Sequence, residues 1–254
     1  MIADLEGKAV LITGASTGIG AAAARAFGRL RSRVAIHYHA SEDAARAVAA
    51  DVRATGAEAL LVGGDVTKDG EVRRIVADPL AAFGRIDVLV NNAGGLVSRT
   101  RIDDYGDPYV EQVLALNVRQ VVAFLREVVP VMRRQGSGNI INVSSIAARN
   151  GGGPGSVLYA GAKGFVSTAT RGWARELASA GIRVNAVSPG VILTPFHERY
   201  STPEQLAAMQ ATIPMKRLGA ADECAGTFVY LASDTMSGYV TGQVIEVNGG
   251  QLMP

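Results

Sequence analysis

Short apolar runs rich in β-branched residues alternate along this chain with longer stretches in which alanine, arginine and acidic residues recur at helical spacing. The first pairs are Lys8 to Ile12 with Ile19 to Leu30, Arg33 to Tyr38 with Glu42 to Thr55, and Ala59 to Val62 with Gly70 to Phe83. The rhythm continues through Ile86 to Val90, a long stretch from Asp107 to Arg134, then Asn139 to Val143, Ser156 to Ser179, Arg183 to Val187, Asp222 to Ala232 and Gln243 to Val247. Alternation of this kind predicts a parallel sheet covered by helices on both sides. Runs such as Ile86 to Val90 and Ile140 to Val143 are mostly continuous, as strands covered on both faces require. Ligands of open parallel sheets collect beyond the carboxyl ends of the strands, where Gly14, Asp65, Asn91, Ser145 and Pro189 all fall.

Composition narrows the classes. The chain has 254 residues, 48% hydrophobic and 19% charged, with no linker, repeat or low-complexity tract. Its longest apolar stretch, Val121 to Met132, is broken by Arg126 and Glu127, so no membrane span is expected. The sequence Met1 to Glu6 lacks the basic and apolar regions of a secretory signal, which predicts a cytoplasmic protein. The single cysteine, Cys224, can form neither an internal disulfide nor a metal cluster, and no metal site is expected. A net charge of +2 with scattered arginines selects no nucleic-acid partner.

Two patterns carry chemistry. Thr13-Gly14-Ala15-Ser16-Thr17-Gly18-Ile19-Gly20 follows the first predicted strand and opens the first predicted helix, so its backbone N–H groups can face a pyrophosphate without intervening side chains. The spacing, G-x-x-x-G-x-G, differs from the commoner G-x-G-x-x-G dinucleotide pattern. Downstream, Tyr159 and Lys163 are four residues apart and share one helix face. A cation there is expected to lower the phenol's pKa and bring proton transfer nearer the working pH. At the end of the second strand, where a carboxylate would bind ribose hydroxyls, stands Tyr38 with His37, His39 and Ser41 around it. Histidine and serine can donate to a 2′-phosphate, so NADP(H) is favoured, with NAD(H) as the alternative.

Over nearly its whole length the chain resembles the short-chain dehydrogenase/reductase family. The likeness rests on Thr13-Gly14-x-x-x-Gly18-x-Gly20, Asp65-Val66, Asn91-Asn92-Ala93-Gly94, Asn117, Asn142-Val143-Ser144-Ser145, Tyr159-x-x-x-Lys163 and Pro189-Gly190-x-x-x-Thr194, in the family's order and approximate spacing. It implies one Rossmann-type α/β domain over residues 1–254, a doubly wound parallel sheet in a three-layer α/β/α arrangement. It further implies Tyr159 as proton donor or acceptor, Ser145 holding the substrate oxygen, Lys163 binding the nicotinamide ribose, and Asn117 positioning a water that links Lys163 to solvent. Asp65, Val66, Asn91, Ala93 and Gly94 are implied on the adenosine side, with Pro189, Gly190, Ile192 and Thr194 near the carboxamide. Relatives are commonly homotetramers joined through their long helices and C-terminal segments, which here are Asp107 to Arg134, Ser156 to Ser179 and Gly238 to Pro254; a homodimer is the alternative.

Two departures qualify the transfer. Ser145 lies fourteen residues before Tyr159 where relatives commonly place the serine thirteen before, which leaves Ser144 as a rival; and Arg31-Ser32-Arg33 replaces the family's usual glycine turn. The substrate side is expected to be built from Leu96, Val97, Ile146, Leu158, Phe196, His197, Met209 and Met215, under a lid spanning about residues 190–217. The closest overall likeness is to 3-oxoacyl-[acyl-carrier-protein] reductases, although Arg133 and Arg134 supply only one of their two basic places and Ala180 stands in the other. A sugar dehydrogenase of the glucose type is the runner-up, with Arg99, Arg149 and His197 as its polar walls. A non-catalytic dinucleotide sensor is the reading from another class.

Overall fold

The computed structural model describes residues 3–253. Met1, Ile2 and Pro254, on which parts of the N-terminal and C-terminal readings fall, lie outside the described residues. Strands β1 (Ala9–Ile12), β2 (Arg33–Tyr38) and β3 (Ala59–Gly63) form one half of a seven-stranded parallel sheet. Strands β4 (Val88–Asn91), β5 (Gly138–Val143), β6 (Ile182–Pro189) and, last in the chain, β9 (Val244–Val247) form the other. The order β3-β2-β1-β4-β5-β6-β9 reverses direction between β1 and β4, where connections leave to opposite sides and open a crevice. β1, β4 and β6 are buried along their entire length; β1 and Val88 to Val90 of β4 show the unbroken apolar run this favours, whereas β6 buries Arg183 and Asn185 in alternation with apolar residues.

Helices α1 (Gly18–Arg29), α2 (Glu42–Ala54) and α3 (Asp69–Phe83) connect the first half. The long predicted stretch forms α4 (Asp107–Leu114) and α5 (Gln120–Gln135), joined without a break by a wider five-residue turn, Ala115–Arg119. After β5 come α6 (Ala147–Asn150) and α7 (Val157–Leu177). Between β6 and β9 lie β7 (Ile192–Leu193), α8 (Pro195–Tyr200), α9 (Pro203–Thr212), β8 (Gly219–Ala220), α10 (Ala221–Ala232) and α11 (Asp234–Ser237). One core layer is built by α1, α2 and α10 around Phe27 and Phe228, the other by α3, α5 and α7 around Phe124 and Met132. The run Ala21 to Ala24 keeps α1 thin enough to pack between α2 and α10, and Gly28 lets it approach Val52, to which a Cβ would come within 3.1 Å.

The departure at Arg31-Ser32-Arg33 has a structural cost. Arg31 takes φ +57°, the left-handed region that favours glycine, to close the turn into β2. The turn is fixed by Gly7 N–H donating to Arg31 O at 3.0 Å and Ser32 Oγ donating to Leu5 O at 2.7 Å. Arg31 is exposed, so its side chain adds little in return. Arg31→Gly is therefore expected to raise unfolding stability by roughly 0.5–1 kcal/mol. Denaturant unfolding of the two proteins measures it, and an unchanged or lower midpoint refutes the strain.

Candidate active site

The crevice between β1 and β4 is held open by side chains that satisfy its own backbone. Thr13 Oγ1 accepts from Asn92 N and Ala93 N at 3.0 Å each, while Asn92 Nδ2 donates to Thr13 O and Gly14 O at 2.9 and 2.8 Å. On the other side, Gly14 N–H donates to His37 Nδ1 at 3.0 Å, and His37 Nε2 reaches Gly64 O at 3.0 Å. That bonding requires the proton on Nε2. One imidazole thus ties the glycine turn after β1 to the loop after β3. Burial is the main cause that pulls its pKa down to about 4.

Above this frame lies a cleft of about 700 Å³. One arm is lined by Gly14, Ser16, Thr17, Gly18 and Ile19, by His39 and Ser41, and by Asp65, Val66, Ala93 and Gly94. The middle carries Ser145, Tyr159, Lys163, Pro189, Gly190, Ile192 and Thr194. At the head of α1, Thr17 makes no side-chain cap bond and the first turn holds no acidic residue, so the first N–H groups of the helix have no partner within it. Gly14 takes φ +63° and a Cβ there would stand 3.0 Å from Ala93 Cα. Donors, a helix N-terminus and a glycine floor fit a dinucleotide's pyrophosphate.

Four expected cofactor or catalytic positions lie outside the cleft wall, each for a physical reason. Gly20 faces inward, where a Cβ would come within 2.4 Å of Gly14 O; it serves close packing of helix on turn. Tyr38 points away, because strand alternation puts it on the face opposite His37 and His39, and its ring covers Gly63. Asn91 is buried between strands, donating to Asn142 Oδ1 at 2.9 Å, and its neighbour Asn92 does the work at the crevice. Asn117 sits in the wide turn behind Gly94 and Gly95: its Oδ1 accepts from Gly95 N at 3.1 Å and its Nδ2 donates to Gly95 O and Val113 O. Nor is His37 free to donate to a phosphate, since both its ring nitrogens are engaged.

At the cleft floor, β5 delivers Ser144 and Ser145 to opposite sides. Both line the cleft, but Ser144 Oγ is engaged with Ser167 Oγ and Lys163 O, whereas Ser145 Oγ accepts from Ala147 N at 3.1 Å and meets the Tyr159 hydroxyl. Lys163 is buried one turn from Tyr159, donating Nζ to Val143 O at 2.7 Å, with Nζ 5.8 Å from the tyrosine ring centre. A Cβ on Gly94 would lie 2.9 Å from Asn117 Oδ1 and 3.2 Å from Lys163 Nζ, so the three converge on one point.

The expected lowering of the phenol is overturned by burial. Desolvation pushes Tyr159 up to about 12, against which the facing Ser145 hydroxyl acts, and pulls Lys163 down to about 8. Tyr159 therefore holds its proton at neutral pH, the state a proton donor needs.

The substrate end is lined by Leu96, Ile146, Phe196, His197 and Met209 as expected, but not by Val97, Leu158 or Met215. Phe196 brings α8 against the site, its ring centre 6.0 Å from that of Tyr159. Of the polar candidates Arg99 and His197 line the cleft, while Arg149 turns away to Glu246. Asn150, Ser156, Arg199 and Gln251 also line it. Sequence reasoning missed them: only Asn150, preceding a glycine cluster, carried a local turn signal.

Comparison with known proteins places this arrangement. A family model described as Enoyl-(Acyl carrier protein) reductase matches residues 14–251. The chain is 40% identical over 253 residues to a 3-oxoacyl-[acyl-carrier-protein] reductase of Synechocystis sp., covering 98% of both. Among solved structures it superposes on a short-chain type dehydrogenase/reductase from Mycobacterium marinum with a TM-score of 0.93, 35% identity, and coverage of 100% of this chain and 98% of that one. An NADH-dependent reductase, A1-R′, complexed with NAD gives 0.89 at 35% identity with both chains fully covered.

The His37 bridge predicts an acid-sensitive fold. With the pKa lowered from 6.5 to about 4, stability from this group is complete above 6.5 and is lost as pH falls through 4, by at most about 3 kcal/mol. Unfolding measured from about pH 7 to pH 4 should show that loss in the native protein, and a shallower slope in His37→Asn. Parallel slopes would refute the bridge.

Proposed function

We propose that this chain, which belongs to the short-chain dehydrogenase/reductase family, reduces a carbonyl to a secondary alcohol with Tyr159 as proton donor. That it is an oxidoreductase acting on carbonyl or alcohol groups follows from the family and its 3-oxoacyl-[acyl-carrier-protein] reductase relatives. The observation that carries the residue roles is the meeting of Ser145, Tyr159 and Lys163 at the floor of the same cleft whose far arm suits a pyrophosphate.

The chemistry a bound nicotinamide supplies is hydride donation to, or acceptance from, the reacting carbon. Ser145 is assigned to hold the carbonyl oxygen. As charge develops there, Tyr159 gives it the phenolic proton, which the phenol still carries at neutral pH. Lys163, near its midpoint at mildly alkaline pH, is assigned to bind the ribose and stabilise the phenolate left behind. Asn117 is assigned to hold the Gly94-Gly95 backbone against Lys163 and border a water path to solvent.

The cofactor arm supports NADP(H): β2 ends on Tyr38 rather than a carboxylate, Glu42 and Asp43 of α2 do not line the cleft, and His39 and Ser41 line the place assigned to a 2′-phosphate. A β-keto thioester is the substrate that the relatives suggest, although docking of a carrier protein has support only at the end of α5, where Arg133 and Arg134 are exposed. Residues 190–217 are assigned as a lid, anchored where β7 pairs with β8. The cytoplasm is the compartment we assign, consistent with a single buried, unpaired cysteine; among the described residues no helix is long and apolar enough to cross a membrane.

Two measurements test this reading. A panel of carbonyls, including a β-keto thioester and a sugar, assayed with NADPH and NADH should show turnover, faster with NADPH; Tyr159→Phe should lower kcat at least about 100-fold with cofactor affinity within about 3-fold. Near-normal turnover in that variant would remove Tyr159 from the mechanism. The second concerns assembly: Val122 and Phe165 stand exposed on α5 and α7, Tyr239 and Met253 in the C-terminal segment, and β9 is an unpaired edge. Light scattering should give a homotetramer, and Phe165→Glu a smaller species; a monomeric native protein refutes it.

A further inference from the structure

The cleft is charged unevenly beyond Tyr159. Among the described residues its one lining carboxylate, Asp65, belongs to the adenosine arm, whereas the substrate arm is lined by Arg99, Arg199 and His197. Arg99 is half-buried and held by uncharged acceptors: Nε donates to Tyr200 O at 2.8 Å and Nη1 to Pro154 O at 3.1 Å. Among the described residues it joins no ion pair, while more exposed arginines such as Arg46, Arg74 and Arg217 each have an acidic partner. A guanidinium partly withdrawn from water without a counter-ion is costly, and its remaining N–H donors suit a carboxylate.

The surroundings fix where such an anion would sit. The loop bearing Arg99 is set by Val97, a β-branched residue at φ +68°, and by Thr100 N donating to Gly155 O at 3.0 Å. Arg99 is near enough to His197 to add to the lowering of its pKa, after burial. His197 engages Ser201 Oγ through Nδ1 at 3.0 Å, which leaves Nε2 for the cleft. Phe196 stands between this group and the reacting end, its ring centre 6.0 Å from that of Tyr159 and 5.2 Å from that of His197. His197 therefore lies one aromatic ring away from the proton donor, with the Arg99 guanidinium close enough to act on it.

We propose that the cleft reduces keto acids, holding a carboxylate a few bonds from the carbonyl on Arg99 and His197. This rests on the carbonyl-reductase reading and adds a substrate class to it. The carbonyl carbon gains hydride from reduced nicotinamide nucleotide, its oxygen gains the Tyr159 proton, and the carboxylate is unchanged.

The test compares 3-oxobutanoate, 4-oxopentanoate and 5-oxohexanoate with their methyl esters in the native protein, Arg99→Gln and Arg99→Lys. At least one acid should exceed its ester in kcat/KM by about 10-fold or more, chiefly through KM. Arg99→Gln should lower kcat/KM for that acid about 10- to 100-fold and for its ester less than about 3-fold, with partial recovery in Arg99→Lys. Esters reduced as well as acids, or equal losses for both in Arg99→Gln, overturn the proposal and assign Arg99 to clamping the loops. Reduction of neutral carbonyls but of no acid also overturns it, leaving the reductase reading intact; reduction of nothing overturns both.

Discussion

The structure depends on what happens where β1 and β4 part. Two parallel strands whose connections leave to opposite faces must diverge at their carboxyl ends, and the exposed backbone there would go unsatisfied without a substitute for the sheet ladder. Thr13, Asn92 and His37 provide it. Their side chains bond the amides and carbonyls of Thr13, Gly14, Asn92, Ala93 and Gly64, so the crevice keeps its shape through contacts of its own. The glycine turn is presented by that frame, and the head of α1 with it.

The same sheet sets the electrostatics of the reacting end. The end of β5 turns the Ser144 hydroxyl to Ser167 and the Ser145 hydroxyl to Tyr159, and α7 lays Tyr159 and Lys163 across the cleft. Because Lys163 spends a bond on Val143 O, it is anchored to β5 rather than to the phenol. Burial then raises the tyrosine and lowers the lysine, so the two move apart in pKa, and the exclusion of water from both outweighs their mutual attraction. A neutral phenol beside a hydroxyl is primed to give a proton to a developing alkoxide.

Beyond the floor, the walls differ in character. The arm beside the glycine turn is shaped mainly by backbone and small residues. The substrate arm is shaped by Arg99, Phe196 and His197, which come from loops and short helices whose placement depends on one another: Arg99 binds the carbonyls of Pro154 and Tyr200, linking the loop after β4, the glycine-rich loop and the end of α8.

Strand and helix succession, the parallel sheet and the order of motifs could be read from the chain, because periodicity and glycine spacing are local properties that burial on both faces imprints directly. The seats of Tyr159, Lys163 and the glycine turn were legible for the same reason. Which face each strand-end residue takes was not. Tyr38 and Asn91 turned inward or aside while His37 and Asn92 met the crevice, since a one-residue step along a strand reverses direction and only the neighbouring strands decide which direction is the cleft. The sign of the phenol's pKa shift likewise belonged to tertiary structure: spacing places a charge near a ring, but the water excluded around them depends on packing contributed by the whole fold.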